Sequence, residues 1–306
     1  NNIKNIFSKN PDIFKNRIKF FKGDIRDGKS LNSIFHYFET KNNPIQAVIH
    51  FAGLKSVEES IHYPEKYKEF NVYGSHNLFN IMEKYNCKNI VFSSSAMVYE
   101  GCDKEPLKEN SKINPKNPYG KFKLEVEDIL QKKFLTDSQN WSIINLRYFN
   151  PIGAHCSGYI GENPLGETSN LFPIICNVAL KKKNHLKIYG RDWPTRDGTC
   201  VRDFIHVMDL ADAHVAALKY CFKSNKNFLN INIGTGKGTT ILELLNYFEE
   251  ANKIRIPFIF EKRRSGDVPI LVADNELALS TLDWKPIRSL RDMCIDSWLW
   301  NKNQFL

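Results

Sequence analysis

The chain predicts an α/β fold, with a parallel, doubly wound sheet covered on both faces and a smaller mixed α/β domain after it. Three observations carry this. Short apolar runs alternate with longer helical stretches over the first half of the chain, the rhythm of repeated strand–helix units. After Pro151 that rhythm loosens into a stretch rich in Gly, Pro and Asn. One apolar run ends in Ser93-Ser94-Ser95, and the helical stretch downstream opens on Tyr119-Gly120-Lys121-Phe122-Lys123.

Residues 18–21, 47–51, 90–93, 142–146 and 229–233 read as the strands, and stretches near 30–39, 64–85 and 119–134 as the helices between them. Parallel strands need such crossover helices, which cover both faces of the sheet. The predicted division is a sheet domain over 1–150 and a substrate-covering domain over 151–306. The segment 204–220, followed by 229–233, has the strand and helix character to rejoin the first sheet. No internal repeat or low-complexity tail is visible.

At 306 residues the chain can bury a large core in one or two domains. Its 42% apolar and 25% charged residues are those of a globular protein. No apolar stretch reaches the ~18 residues of a membrane helix, and no secretory leader is visible. The seven cysteines are odd in number and scattered, which fits free thiols in a reducing cytoplasm rather than a disulfide framework or a zinc site. No metal is expected. The net charge of +9 raises the question of nucleic acid. The lysines are dispersed, however, and Lys181-Lys182-Lys183 falls at the end of a helical stretch, where cations suit the helix dipole. A solvated basic surface that also suits a small acidic substrate is the better reading.

Tyr119, Lys123 and Ser95 together offer what hydride chemistry on a hydroxyl group needs. The phenol is the base, the serine shares its hydrogen bond, and the ammonium one helical turn on lowers the phenol's pKa. From an ordinary value of about 10 down to neutrality is roughly 3 units, or about 4 kcal/mol. The same tyrosine–lysine spacing recurs at Tyr37 and Lys41, but no serine-ended strand precedes that pair.

A dinucleotide-binding sheet of the Rossmann type opens with a strand and a glycine-rich turn, followed by an acidic residue. Here the first glycine is Gly23 and the first residue is Asn1. In the strand order 3-2-1-4-5-6, residues 18–21 would be the third strand and 47–51 the fourth. The first two would be missing from the middle of the sheet, so the expectation is an N-terminally truncated record of a longer protein, and a fragment that folds poorly, holds no tight NAD and is itself inactive. Neither later glycine cluster replaces the turn. Gly234-Thr235-Gly236-Lys237-Gly238 has the wrong spacing for a phosphate loop and reads as a turn into a helix capped by Thr240 and Glu243. The stretch 158–166 reads as a loop.

Several blocks, taken in order, resemble the UDP-glucose 4-epimerase family of the extended short-chain dehydrogenases/reductases. They include Gly23-Asp24-Ile25-Arg26-Asp27, Val48-Ile49-His50-Phe51-Ala52-Gly53-Leu54-Lys55, Phe92-Ser93-Ser94-Ser95-Ala96, Pro118-Tyr119-Gly120-Lys121 and Leu146-Arg147-Tyr148-Phe149-Asn150-Pro151. Later come Asp197-Gly198-Thr199, the block opening Val201-Arg202-Asp203-Phe204, and Arg263-Arg264-Ser265-Gly266-Asp267. The resemblance implies a reversible interconversion of UDP-galactose and UDP-glucose, with NAD as a retained cofactor. The C4 position is oxidised, the keto sugar turns about its diphosphate tether, and hydride returns to the opposite face.

Carried onto this sequence, the resemblance makes Ser95, Tyr119 and Lys123 catalytic. It assigns Asp24, Ile25, Phe51, Ala52, Gly53, Leu54, Lys55, Asn71, Ser93, Tyr119, Lys123 and Phe149 to the dinucleotide. To the UDP-sugar it assigns Ser95, Tyr119, Asn150, Asn170, Leu171, Lys187, Ile188, Tyr189, Arg202, Arg264, Asp267 and Leu271. For Arg202 and Arg264 chemistry agrees, since guanidinium forks suit diphosphate oxygens. Without the resemblance, core packing accounts equally well for Phe51, Phe149 and Leu171, and Asp24 for a turn cap. The family also implies a homodimer built on the helical stretches 64–85 and 119–134.

Three positions depart from the family pattern. Met97 stands where threonine is usual, Glu100 replaces a glycine, and Leu271 occupies a position whose bulk limits room at the sugar's 2-position. Leucine there implies partial acceptance of N-acetylated sugars, and Met97 a slower enzyme. A 4,6-dehydratase of the same class would need an acidic pair beside the serine, where this chain has Ala96-Met97. The alternatives left open are another UDP-sugar epimerase or decarboxylase of the class, and a non-catalytic nucleotide-sugar-binding protein.

Overall fold

The computed structural model describes residues 17–99, 105–164, 170–223, 226–264 and 267–305. Glu100, the end of the 158–166 stretch, and Ser265 and Gly266 of the arginine-rich block lie outside these. In chain order come α1 (Gly28–Glu39), β1 (Val48–His50), α2 (Val57–His62), α3 (Pro64–Tyr67), a π-helical turn (Lys68–Tyr73) and α4 (Gly74–Lys84). Next are β2 (Asn89–Ser95), a 3-10 turn (Ala96–Tyr99), α5 (Pro118–Thr136), β3 (Ser142–Tyr148), β4 (Asn150–Ile152), α6 (Leu171–Ala179) and β5 (Leu186–Tyr189). The chain continues through β6 (Val201–His206), α7 (Val207–Lys223), β7 (Phe228–Ile233), β8 (Gly238–Thr240), α8 (Ile241–Asn252), β9 (Phe258–Glu261), β10 (Ile270–Leu271), α9 (Glu276–Leu282) and α10 (Leu290–Phe305).

β1, β2, β3 and β7 lie side by side in that order, all parallel. Successive side chains of a strand point to opposite faces. Ile90 and Phe92 of β2 therefore join the core beneath α1, α4 and α5, with Phe79, Met82, Val126 and Leu130. Val91 joins the opposite core with Leu210, Ala213 and Ala217 of α7. The sheet is thus buried on both faces, as the sequence predicts for a parallel α/β fold.

A second sheet runs β10-β6-β4, with β8 antiparallel to β6. β5 and β9 form a separate parallel pair. The core here joins Phe172, Ile175 and Cys176 of α6 to Leu244, Leu245 and Phe248 of α8 and Met293 and Cys294 of α10. Of the segment 204–220, strand β6 stays in this second sheet, while α7 returns to pack on β2 and β3 and β7 flanks β3.

Two expectations about elements are corrected. Residues 18–21 form no strand: Ile18 and Phe20 are exposed, and Phe21 packs edge-on against Tyr37 and Phe38. A strand is held by its neighbours' hydrogen bonds, and none of the described strands lies beside these residues. The stretch 64–85 is not one helix. Its middle widens into the π-helical turn, a feature frequent at functional sites, and from this turn the Asn71 side chain bonds the loop that follows β1.

The Gly234-Thr235-Gly236 cluster is a turn wrapped around the buried Asp203 carboxylate. That group accepts from Thr235 N at 2.8 Å, Gly236 N at 2.9 Å, Ala273 N at 3.2 Å and Thr235 Oγ1 at 2.6 Å. Thr240 and Glu243 form the expected capping box at α8.

Candidate active site

The site is built where β2 ends and α5 begins. Asn117 caps α5 by accepting from Gly120 N at 2.8 Å, and Pro118 fills the first helical turn. Gly120 permits close approach: a Cβ there would lie 2.6 Å from Met97 O. The helix start therefore rests directly on the turn after Ser95. Tyr119 N donates to Ser60 Oγ of α2 at 3.2 Å, which ties the tyrosine to a helix whose Glu58, Glu59 and His62 line a large cleft.

Ser95, Tyr119 and Lys123 come together. The Ser95 hydroxyl stands near the Tyr119 phenol, where it favours the ionised form, and accepts from Met97 N at 3.2 Å. Buried Lys123 donates from Nζ to Ser93 O at 2.6 Å, and its Nζ lies 5.7 Å from the centre of the Tyr119 ring. The electrostatics correct the sequence expectation. Burial pushes the Tyr119 phenol up to about 12 against the opposing influence of Ser95, and burial brings the Lys123 ammonium down to about 8 against the opposing charge of Glu127. Desolvation is the largest influence on both groups.

Beneath the site lies a buried polar network that the sequence reading did not single out. Glu127, one turn beyond Lys123, accepts from Arg147 Nε at 3.0 Å and Nη2 at 2.6 Å, and from Ser94 Oγ. Arg147 also donates to Tyr99 Oη at 2.6 Å, and Tyr99 to Asn232 Oδ1 at 2.9 Å. Tyr148, which stands opposite Ser95 in the sheet, pairs with His214 Nε2. Its phenol is pushed well above the usual range by burial, with Tyr119 nearby adding to the effect. Tyr148 was legible as part of the 146–151 block, whereas Glu127 and His214 sit on helices with no signal beyond ordinary periodicity.

The remaining predicted residues fall into five places. Gly53, Leu54 and Lys55 line a cleft of about 1040 Å3 together with Asn170, Lys187, Tyr189 and Arg264. Asn71 pins this loop by accepting from Leu54 N at 2.7 Å and donating to Leu54 O at 2.9 Å. An adjoining pocket of about 230 Å3 gathers Asn150, Asn170, Leu171, Lys187, Ile188, Tyr189, Arg202, Arg264 and Asp267. The Arg264 guanidinium lies 3.8 Å over the Tyr189 ring, while Lys187 pairs with Glu261 at 3.0 Å. The buried Asn150 Oδ1 meets no donor among the described residues.

Phe149 and Leu271 pack in one buried cluster with Ala96 and Tyr99. Phe51 and Ala52 are exposed, with the Phe51 ring 4.7 Å from that of His214. Asp24 and Ile25 line neither cavity. Asp24 pairs with Arg26, which holds its carboxyl down at about 2, and Ile25 packs against Gly74 at the start of α4.

A family model described as GDP-mannose 4,6 dehydratase matches residues 1–297. The chain is 46% identical over 288 residues to UDP-glucose 4-epimerase 2 of Arabidopsis thaliana, covering 94% of this chain and 81% of that one. Among solved structures it superposes on UDP-glucose 4-epimerase from Stenotrophomonas maltophila with bound NAD and formylated UDP-arabinopyranose. The TM-score is 0.92 at 40% identity, over 99% of this chain and 87% of that one. The Bifidobacterium longum UDP-glucose 4-epimerase in complex with NAD+ and UDP superposes with TM-score 0.89 at 38% identity, over 98% and 86%. Matched along nearly its whole length, the chain belongs to the extended short-chain dehydrogenase/reductase family, within its UDP-glucose 4-epimerase branch.

Proposed function

We propose that this protein is a UDP-glucose 4-epimerase that interconverts UDP-galactose and UDP-glucose with retained NAD. The observation that carries the reading is the meeting of Ser95, Tyr119 and Lys123 at one strand end and one helix start. The residues present fit the cofactor. Among the described residues the Lys123 ammonium has Ser93 O as its one hydrogen-bond acceptor, so donors remain for ribose hydroxyls. Gly53, Leu54 and Lys55 bring a pinned backbone and a second ammonium to the cleft wall. For the UDP-sugar, Arg202 and Arg264 supply guanidinium groups beside the unsatisfied oxygen of Asn150.

Tyr119 takes the proton of the C4 hydroxyl and later returns it, and Ser95 shares the hydrogen bond throughout. Because the phenol is held at about 12, Tyr119 needs positive charge beyond that of Lys123 to act as a base near neutral pH. NAD, when bound, supplies that charge in its oxidised form and accepts and returns hydride.

The test is to incubate the whole protein with UDP-galactose and follow the sugar by NMR. UDP-glucose should appear up to equilibrium with no added cofactor consumed, and a dehydrated product or no conversion would overturn the reading. Ala96-Met97 beside the serine supplies no acid for a dehydratase. UDP-N-acetylglucosamine is expected as a weaker substrate because of Leu271, and strict rejection would defeat that point.

The remaining features are proposed on the same footing. These are a sheet domain over 1–150 to which α7 and β7 return, a UDP-sugar domain over 151–306, a cytoplasmic setting and a homodimer. Ile61, Tyr63, Tyr73 and Leu135 are exposed on or beside the helices that the family resemblance assigns to the dimer. Buried free thiols such as Cys87, Cys176 and Cys294 suit a reducing compartment. No described helix is long and apolar enough to cross a membrane.

A further inference from the structure

We infer that Glu162 is a coupling residue that links dinucleotide binding to UDP-sugar binding by holding Lys55 and Asn170 at one separation; this rests on the epimerase reading above. Its backbone is fixed first. Gly161 lies against the Trp300 indole so closely that a Cβ would come within 2.4 Å of the ring. Trp300, itself buried, donates from Nε1 to Glu162 O at 3.0 Å. From this anchor on α10 the carboxylate reaches two elements at once. One oxygen, Oε1, accepts from Lys55 Nζ at 2.6 Å and from Asn170 Nδ2 at 2.9 Å.

Each donor belongs to a different proposed ligand set. Lys55 is on the loop after β1 that Asn71 pins. Asn170 stands at the N-cap of α6, yet its side chain makes no capping bond to that helix and is turned to Glu162 instead. Both residues line the large cleft, and Asn170 also lines the inner pocket.

Stability does not explain the arrangement. The Lys55 side chain is 65% exposed and that of Glu162 is 34% exposed, and ion pairs this open add little to folding. A shared carboxylate between two sites has another consequence. Whatever factor one ligand imposes on the affinity of the other is imposed in return.

The experiment follows the release of NAD from the whole protein, with and without saturating UDP, in wild type, E162Q, E162D, K55A and K55A/E162Q. In wild type UDP should slow the loss of NAD by about tenfold, within the usual range of such coupling. E162Q should reduce the protection to about twofold or less without lowering Tm, while E162D, which keeps the charge, should retain most of it. K55A/E162Q should be no worse than either single variant. Equal protection by UDP in wild type and E162Q overturns the coupling role. So does identical behaviour of E162D and E162Q, or loss of protection only in step with lost thermal stability. A wild type that binds both ligands independently overturns the coupling alone, and one that binds neither overturns the epimerase reading and the coupling with it.

Discussion

Two tyrosine–lysine pairs of identical spacing sit in opposite surroundings. Tyr37 lies on the outer side of α1, where Lys41 Nζ is 4.7 Å from its ring centre and Lys19 also donates to its phenol. Those contacts hold the Tyr37 phenol below its ordinary value. Lys123 is buried and Tyr119 half-buried, and there the phenol rises to about 12 while the ammonium falls to about 8. The better-ionised tyrosine is thus the one without a strand end or a serine partner. What distinguishes the interior pair is its position: a cation and a phenol held in a site of low polarity, where added charge acts strongly.

Substitution breaks the comparison most directly. Tyr119→Phe should lower kcat by about 10²–10⁴-fold, the usual contribution of a positioned acid–base group. Tyr37→Phe should leave epimerisation unchanged. Equal effects of the two in a coupled UDP-glucose assay would erase the distinction. Next in size is the support beneath the interior pair. Glu127→Ala strands the Arg147 charge in the core and should cost about 3–5 kcal/mol in denaturant unfolding. Glu39→Ala, beside the exterior pair, should cost close to nothing.

A pH series sharpens the contrast. The ammonium of Lys123 has an ordinary value of 10.5 and sits at about 8 in the folded protein. Between these values the unfolded chain holds a proton that the native protein has released, so this group's contribution to stability rises with pH from about 8 to 10.5. Lys123→Met should remove that rise, whereas Lys41→Met should not alter the curve. The smallest effect concerns Met97. Met97→Thr offers the sugar a hydroxyl, and at about 0.5–1.5 kcal/mol per hydrogen bond kcat/KM should increase by roughly two- to tenfold.

The sequence was readable where structure is local. The cap at Asn117, the glycine that lets α5 approach the turn after β2, and the capping box at Thr240 each depend on neighbours within a few residues. Residues 18–21 were misread because an apolar run becomes a strand only beside another strand. Glu162 was invisible because it lies in a stretch without periodicity, and Lys55 is 107 positions away. The pKa of Tyr119 was misjudged because the sequence shows the cation but not the burial, and burial is the larger influence. Asp203 shows the reverse case. A glycine cluster resembling a phosphate loop is shaped by a carboxylate of the protein itself.

The fork between Arg147 and Glu127 has a consequence for drift. A helix held on a sheet by greasy contacts alone can slip by a fraction of a turn at little cost, since such contacts have no direction. Paired donor and acceptor arms lock like the teeth of a key, and a shifted helix would leave both charges stranded in oil. The fork therefore keeps the first turn of α5 aimed at one point in space, beside the end of β2.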